Sequence, residues 1–575
     1  MRVSPRTGAL LGLGTLIACL VAVGLLSVTG NDFAVAGLRG TDLYASYGLP
    51  VVRVLAEVAA VVCVGGLLFS AFLLPEPERV PVRIAGWAAG VWAVAALLSV
   101  PFTLADVYAR PLGYILEWDR LLELAFAVEP TRAWMLTALI GAVIMASSRR
   151  VTSRAATRAL LGLALLGLVP VASSGHSSSG GDHDWATASL LTHLVAAALW
   201  VGGLLAILAY RTGEHLTAAV TRFSASALWC WIALAASGVI NALVRVKPEN
   251  LFTTSYGFLV VAKVVALGLL GVFGFFQRRT GVAEVVRTGT SRALLRLGAV
   301  EVLLMLMTIG LAAALARTPP PEHVAIVPTV ELRLGYVLSG PPDVPALLTD
   351  WRFDLLLGTG AIVLAVSALR HRGFRLPLWL AGCAGILLAT SSGIGRYAPA
   401  VFSLHVVSTL VLAILSPILL VLGMPRDRRV LLHPVVATVL FSSSFYLVYL
   451  TGVFEWSLDQ PVVRTGIHLW FLLTGCAFFC SAFASEISPA VRRLMVLAAL
   501  ATQAVFGVAL LLRDSVIGES FHRSLRLPWI ADLAASQHLG GAIVIGFGVV
   551  PLLITGLVLL VTPQRARERE LTASR

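Results

Sequence analysis

Sixteen stretches of this chain are long and apolar enough to be read as helices crossing a hydrocarbon layer. A bilayer core of about 30 Å takes roughly 20 residues of helix at 1.5 Å rise per residue. The stretches run approximately over 8–28, 50–74, 84–104, 131–147, 159–172, 186–210, 223–244, 257–277, 293–316, 353–369, 376–392, 400–422, 431–450, 466–484, 492–512 and 538–562. Hydrocarbon offers no water to a bare amide, so a spanning segment must satisfy its own backbone, and runs of this length specify helices. The expected fold is all-α: a polytopic integral membrane helical bundle of about sixteen spans, nine followed by seven. Composition agrees, with 58% hydrophobic and 13% charged residues and a mean hydropathy of +0.89. Soluble domains carry about a quarter charged residues. A soluble enzyme, a disordered chain and a nucleic-acid binder are excluded, despite an isoelectric point near 10.0.

The net charge of +13, from 43 Lys and Arg against 30 Asp and Glu, is a topology signal. Alternate loops hold Arg149, Arg150, Arg154 and Arg158, then Arg278, Arg279, Arg287 and Arg292. Further along come Arg370, Arg372 and Arg375, then Arg426, Arg428 and Arg429, and finally Arg565, Arg567 and Arg569. Cytoplasmic loops carry such excess, so both termini are expected in the cytoplasm. Arg2 and Arg6 precede the first run, Ala34-Val35-Ala36 resembles a cleavage site, and Leu16-Ile17-Ala18-Cys19 resembles a lipoprotein box. A run of about 20 residues exceeds the usual signal core, so the first helix is expected to be retained.

Residues 317–352 interrupt the apolar pattern with Pro319-Pro320-Pro321, Pro341-Pro342 and Pro345. Consecutive prolines are stiff and cannot continue a helix. The chain therefore divides into a first membrane domain (1–316), an outer proline-rich linker (317–352), a second membrane domain (353–562) and a charged cytoplasmic tail (563–575). All six cysteines fall inside spans and make no disulfide framework. Cys476 and Cys480 share a helix face and are read as small packing residues or as a soft thiol pair for Cu(I).

Ionisable groups inside spans are functional candidates. In the first domain these are Arg53 and Glu57, one turn apart, then Lys263 and Glu301, with Asn241 near the outer end of its helix. They are read as an ion path or as structural locks between helices, and depth separates Lys263 from Glu301. A Gly- and Ser-rich outer loop carries His176, Asp182, His183 and Asp184, and His193 follows two turns into the next helix. Imidazole and carboxylate suit copper or zinc. In the second domain His405, His468 and His538 fall at a similar outer depth, where facing helices of a bundle can build a metal site. Eight of the eleven histidines (176, 183, 193, 323, 405, 468, 522 and 538) lie on the expected outer side.

Two resemblances carry the functional expectation. His193-Leu-Val-Ala-Ala-Ala-Leu-Trp200-Val-Gly202-Gly203, with Arg222-Phe223-Ser, Ser237-Gly238-Val-Ile-Asn241, Tyr256-Gly257, Lys263 and Gly298 through Glu301, resembles the copper resistance protein D family over about 150–318. That likeness implies copper movement or handling at the bacterial inner membrane, often beside an outer copper-binding protein. It singles out His176, His193, Trp200, Asn241 and Lys263. Phe402-Ser-Leu-His405, Ser416-Pro417 through Gly423-Met-Pro425, Ile467-His468-Leu-Trp-Phe471 and Gln537-His538-Leu-Gly540-Gly541 resemble the cytochrome c oxidase assembly protein (CtaG) family over about 353–560. Three positions depart from that pattern: Thr409 and Trp470 stand where the family tends to place histidines, and Ser536 where it tends to place aspartate.

The expectation is a multi-pass plasma-membrane protein for copper transport or resistance, with copper delivery to, or assembly of, cytochrome c oxidase. Copper, Cu(I) or Cu(II), would be held transiently. Partners would be an outer copper-binding protein, oxidase subunits and membrane lipid. The alternatives are a non-catalytic assembly scaffold with a degenerate copper site, or a b-type haem protein. Haem is not favoured, and no Cys-x-x-Cys-His for covalent attachment is present. No enzyme is expected, and no phosphate loop is present to power transport by ATP.

Overall fold

The computed structural model describes residues 5–29, 43–174, 181–210, 215–288, 292–321, 328–429, 431–530 and 532–561. Among them every element is helical and none is a strand. The sixteen apolar stretches form α1 (Arg6–Thr29), α2 (Leu43–Leu73), α3 (Arg79–Val107), α4 (Glu129–Ser148), α5 (Arg154–Ser173), α6 (His183–Ala209), α7 (Leu216–Arg245) and α8 (Ser255–Thr288). The remainder are α9 (Arg292–Leu315), α10 (Leu357–Arg370), α11 (Leu376–Tyr397), α12 (Phe402–Gly423), α13 (Pro434–Leu450), α14 (Pro461–Ala482), α15 (Pro489–Leu512) and α16 (Leu533–Leu560). Fourteen of these are long and apolar enough to cross a bilayer. α13 reaches that length only together with Val453–Asp459, across a 67° bend, which makes fifteen. α10 differs from expectation: its 14 residues give about 21 Å of helix, short of the hydrocarbon core.

The chain forms two compact units. The first comprises 1–178 and 189–325, and the second comprises 179–188 and 326–575. α6 is thus shared, with its opening turns belonging to the second unit.

In the first unit, small residues set the close approaches, as they do where lipid supplies no hydrophobic drive between helices. Gly65 of α2 faces the backbone of Gly202 in α6, and a Cβ on either would run into the other's main chain. Gly310 of α9 packs in the same way on the carbonyl of Ala18, and Ala18 and Ala22 of α1 are fully buried.

The second unit is built on aromatic packing among Phe441, Phe445, Phe471, Phe478, Phe479 and Phe506, all buried. α12 and α16 each contain a π-helical turn, Val411–Leu415 and Val544–Gly548, followed by Pro417 and Pro551 respectively. Proline lacks an N–H and crowds the carbonyl four residues earlier, which accounts for the local widening. For Pro417 that carbonyl belongs to Ala413. Gly475 of α14 sits against it, where any larger residue would collide with both Ala413 and Pro417.

Replacing Gly65 with Ala forces a backbone collision and should cost about 1–3 kcal/mol. Gly162→Ala, whose Cβ meets nothing within 4 Å, should be neutral or slightly stabilising. Thermal melting of the detergent-purified protein separates the two variants.

Candidate functional site

Two polar clusters stand out, one in each unit. In the first unit, α7 carries Ser237, Asn241 and Arg245 at successive one-turn intervals, hence on one face. Ser237 Oγ donates to the Leu234 carbonyl at 3.2 Å and lies 3.1 Å from His193 Nδ1. With its one hydroxyl proton committed, Ser237 accepts, so His193 donates through Nδ1 and its Nε2 carries no proton. One turn on, Asn241 Nδ2 donates to Ser189 Oγ at 3.2 Å. Arg245 bonds to the Tyr256 hydroxyl. On α2, Arg53 Nε donates to Glu57 Oε1 at 3.0 Å. Lys263 of α8 lies within electrostatic reach of Glu57, Arg245 and His193. The ladder therefore brings the basic groups Arg53, Arg245 and Lys263 to the neighbourhood of the carboxylate Glu57. Glu301 stands apart from Lys263 and lines an apolar crevice together with Trp200.

In the second unit, the His-Asp loop is closed by an arginine. Arg352 donates from Nε and Nη2 to Asp184 at 2.8 and 2.6 Å, and from Nη2 to Asp182 at 2.8 Å. The two-pronged grip suits guanidinium geometry. The guanidinium also lies over the rings of Tyr336 and Trp185, at 4.5 and 5.0 Å from their centroids. Gly335, at φ 86°, allows the chain to pass Asp184 where a Cβ would strike the carboxylate. Burial opposes the Arg352 charge, but its bonds to Asp184 and Asp182 outweigh that and hold the group above its ordinary value. Burial pushes the Tyr336 hydroxyl up to about 12. Its Oη donates to the Arg396 carbonyl at 2.6 Å, and Arg396 in turn pairs with Asp350 at 3.0 Å.

Beneath this shell, a cavity of about 70 Å³ lined by Asp184, Arg352, Asp354, Arg396 and Arg464 reaches His468. His468 of α14 and His405 of α12 face each other, with ring centroids 6.1 Å apart and planes tilted by 33°. His405 is 1% exposed and lies edge-on to Phe454 and Tyr449. Both of its ring nitrogens, and Nε2 of His468, are buried without a hydrogen-bond partner. Buried polar atoms are seldom left so, and each such group calls for a ligand or a chemical role.

His522 joins this neighbourhood from the short helix Glu519–Ser524, within electrostatic reach of His405. Its Nδ1 donates to the Gly518 carbonyl at 2.8 Å, which leaves a bare, buried Nε2. Burial lowers its basicity, and the bond to Gly518 partly offsets that. A histidine that gives one N–H to a backbone carbonyl has its other nitrogen free for a metal. The sequence places His522 among the outer histidines but assigns it no site, because it lies outside every span. The αL glycine that aims it, Gly518 at φ 70°, is the one local signal.

The remaining candidates are placed as follows. His176 lies outside the described residues. His183 is buried at the start of α6, with Nδ1 unpartnered. His538 is half-buried beside Gln537, whose side chain accepts from the Ile517 N–H and donates to the Arg513 and Ser515 carbonyls. Cys476 and Cys480 form no disulfide and pack in the aromatic core, Cys476 about 12 Å along α14 from His468. Among the described residues, no group of three or more His, Cys, Asp or Glu side chains is placed to hold a metal ion. The three departing positions are absorbed by local bonds. Thr409 Oγ1 pairs with Tyr449 Oη at 3.0 Å, Trp470 Nε1 donates to Ser444 Oγ at 2.8 Å, and Ser536 Oγ accepts from the Ser403 N–H at 3.2 Å.

Three family models match the chain. Residues 42–185 match the copper resistance protein D-like N-terminal domain, 217–315 match copper resistance protein D, and 361–566 match the cytochrome c oxidase caa3 assembly factor. Over its full length the chain is 29% identical to uncharacterised proteins of Mycobacterium bovis and Mycobacterium tuberculosis, covering 93% of each. An uncharacterised protein of Mycobacterium leprae is 26% identical over 95% of this chain and 89% of its own length. No solved structure matches.

Arg352→Ala should leave Asp184 stranded at 16% side-chain exposure and lower stability by roughly 3 kcal/mol. Adding Asp184→Asn should restore part of the loss. Melting temperatures of the single and double variants check the coupling.

Proposed function

From a chain that joins copper resistance protein D regions to a caa3-type oxidase assembly factor region, and is thus a copper-related membrane protein, we propose a specific division of labour. Copper is the cargo of the second unit, held transiently as Cu(I) between His405 and His468. The facing, unpartnered imidazoles support this reading above all else. Imidazole is a competent copper donor, and Cu(I) is stable with only two ligands. Two nitrogens each about 2 Å from an ion between them place the ring centres about 6 Å apart, close to the separation found here. Two donors also suit delivery, because a partner that offers a third can draw the ion away. His522 is such a donor within the protein itself.

The cavity beneath Asp184 and Arg352 is the approach to His468. We place it on the non-cytoplasmic side of a bacterial plasma membrane, following the arginine bias of the loops. An outer copper-binding protein would supply the ion there, and oxidase subunits would receive it. The first unit's ladder carries no copper in this scheme, because its imidazole, His193, is already bonded to Ser237. Its role in this scheme is structural support or copper resistance by another path. The protein performs no catalysis in this scheme.

The test is Cu(I) binding by the full-length protein in detergent, read against a colorimetric Cu(I) chelator. One site is expected, weakened more than tenfold by His405→Ala or by His468→Ala and kept by His193→Ala. Undiminished binding in the His405→Ala/His468→Ala double variant would sink the proposal, and absence of binding by the unaltered protein would leave the scaffold reading.

A further inference from the structure

The first unit contains a lipid-facing crevice that the copper chemistry does not use. It encloses about 480 Å³, within the range of pockets that hold drug-sized ligands. α6, α7, α8 and α9 form its walls, with Trp200, Phe223, Trp231 and Phe275 supplying flat aromatic surfaces. Leu228, Val272 and Phe275 on its rim are 43%, 53% and 52% exposed, so it opens sideways toward the bilayer.

Its polar end is unusual. Glu301 is 2% exposed and Gln277 is 8% exposed. Glu301 Oε2 and Gln277 Oε1 are both buried without a hydrogen-bond partner, and both residues line the crevice. A phospholipid acyl chain would cover the walls but leave both oxygens bare, at a cost of about 1–3 kcal/mol each. A ligand that brings hydroxyl donors on a flat ring, with an apolar tail toward lipid, matches every surface of the site.

We propose that this crevice binds a membrane-soluble hydroquinone, head first, with its hydroxyls donating to Gln277 Oε1 and Glu301 and its ring held among the aromatic side chains. The inference concerns binding alone and is independent of the copper site. It gives Trp200 and Glu301 a shared place.

The test uses the full chain in lipid nanodiscs and two probes of one shape, a prenylated naphthohydroquinone under anaerobic reducing conditions and its dimethyl ether. The ether keeps the ring and tail but has no donors. The hydroquinone should bind about tenfold or more tightly than the ether. Glu301→Leu should reduce that preference, and the Gln277→Leu/Glu301→Leu double variant should abolish it. Gly268 lines the crevice, and a Cβ there would meet no atom within 4 Å, so Gly268→Phe should fold normally, fill the space and exclude both probes. Equal affinity for the two probes would overturn the assignment of the head group. Retained binding in Gly268→Phe would overturn the crevice as the site. Displacement of the hydroquinone by phosphatidylglycerol at equal concentration would show an ordinary lipid groove and overturn the proposal.

Discussion

Inside hydrocarbon, a polar atom has only the protein to bond to. That constraint closes each backbone into helices and leaves very few polar side chains in the spans. It also makes an unpaired nitrogen or oxygen conspicuous. The Arg352 lattice shows what satisfaction looks like, with three bonds to two carboxylates and two aromatic faces on one guanidinium. Against that standard, the bare imidazoles of His405 and His468 and the bare oxygens of Glu301 and Gln277 read as places kept for something else.

The two units hold their buried histidines in different ways. The ladder in the first unit satisfies its neutral members in sequence, His193 to Ser237 and Asn241 to Ser189, and gathers positive charge around Glu57. The imidazole pair in the second unit holds no permanent charge on either member. Phe454 and Tyr449 flank His405 edge-on, while Arg464 lies within electrostatic reach of both imidazoles. Each arrangement thus sets a basic group beside its imidazoles, Lys263 by His193 and Arg464 by His405 and His468, and what separates them is the unpartnered nitrogens of the second.

Much of this is legible in the sequence. Apolar run length locates all sixteen helices, because length against bilayer thickness is a strong constraint. It does not reveal that α10 is short, because a run's ends are set by capping and by the loop, here Asp354 accepting from the Leu356 and Leu357 N–H groups. Equal depth suggests that His405, His468 and His538 converge. Depth is readable from position along a helix, but rotation about the axis is not, and a π turn upsets it further. The pairing of Asp182 and Asp184 with Arg352 is hidden for a different reason. The partners are about 170 residues apart, and sequence order alone puts the loop inside the first domain, whereas it packs with the second unit.

The π turn in α12 has a consequence for how this helix tolerates change. It holds one residue more than the α-helical path requires, immediately below His405 and Thr409. Each residue of an α-helix turns the chain by about 100°. Losing one residue from Val411–Leu415 would let the helix revert to a regular path at nearly the same length. The result would resemble the turning of a key: the His405 end would swing round relative to the Pro417 end, carrying the imidazole out of line with His468. Insertions and deletions in this short stretch thus act as rotations, and an evolving chain could retune what its upper half presents without altering a single side chain there.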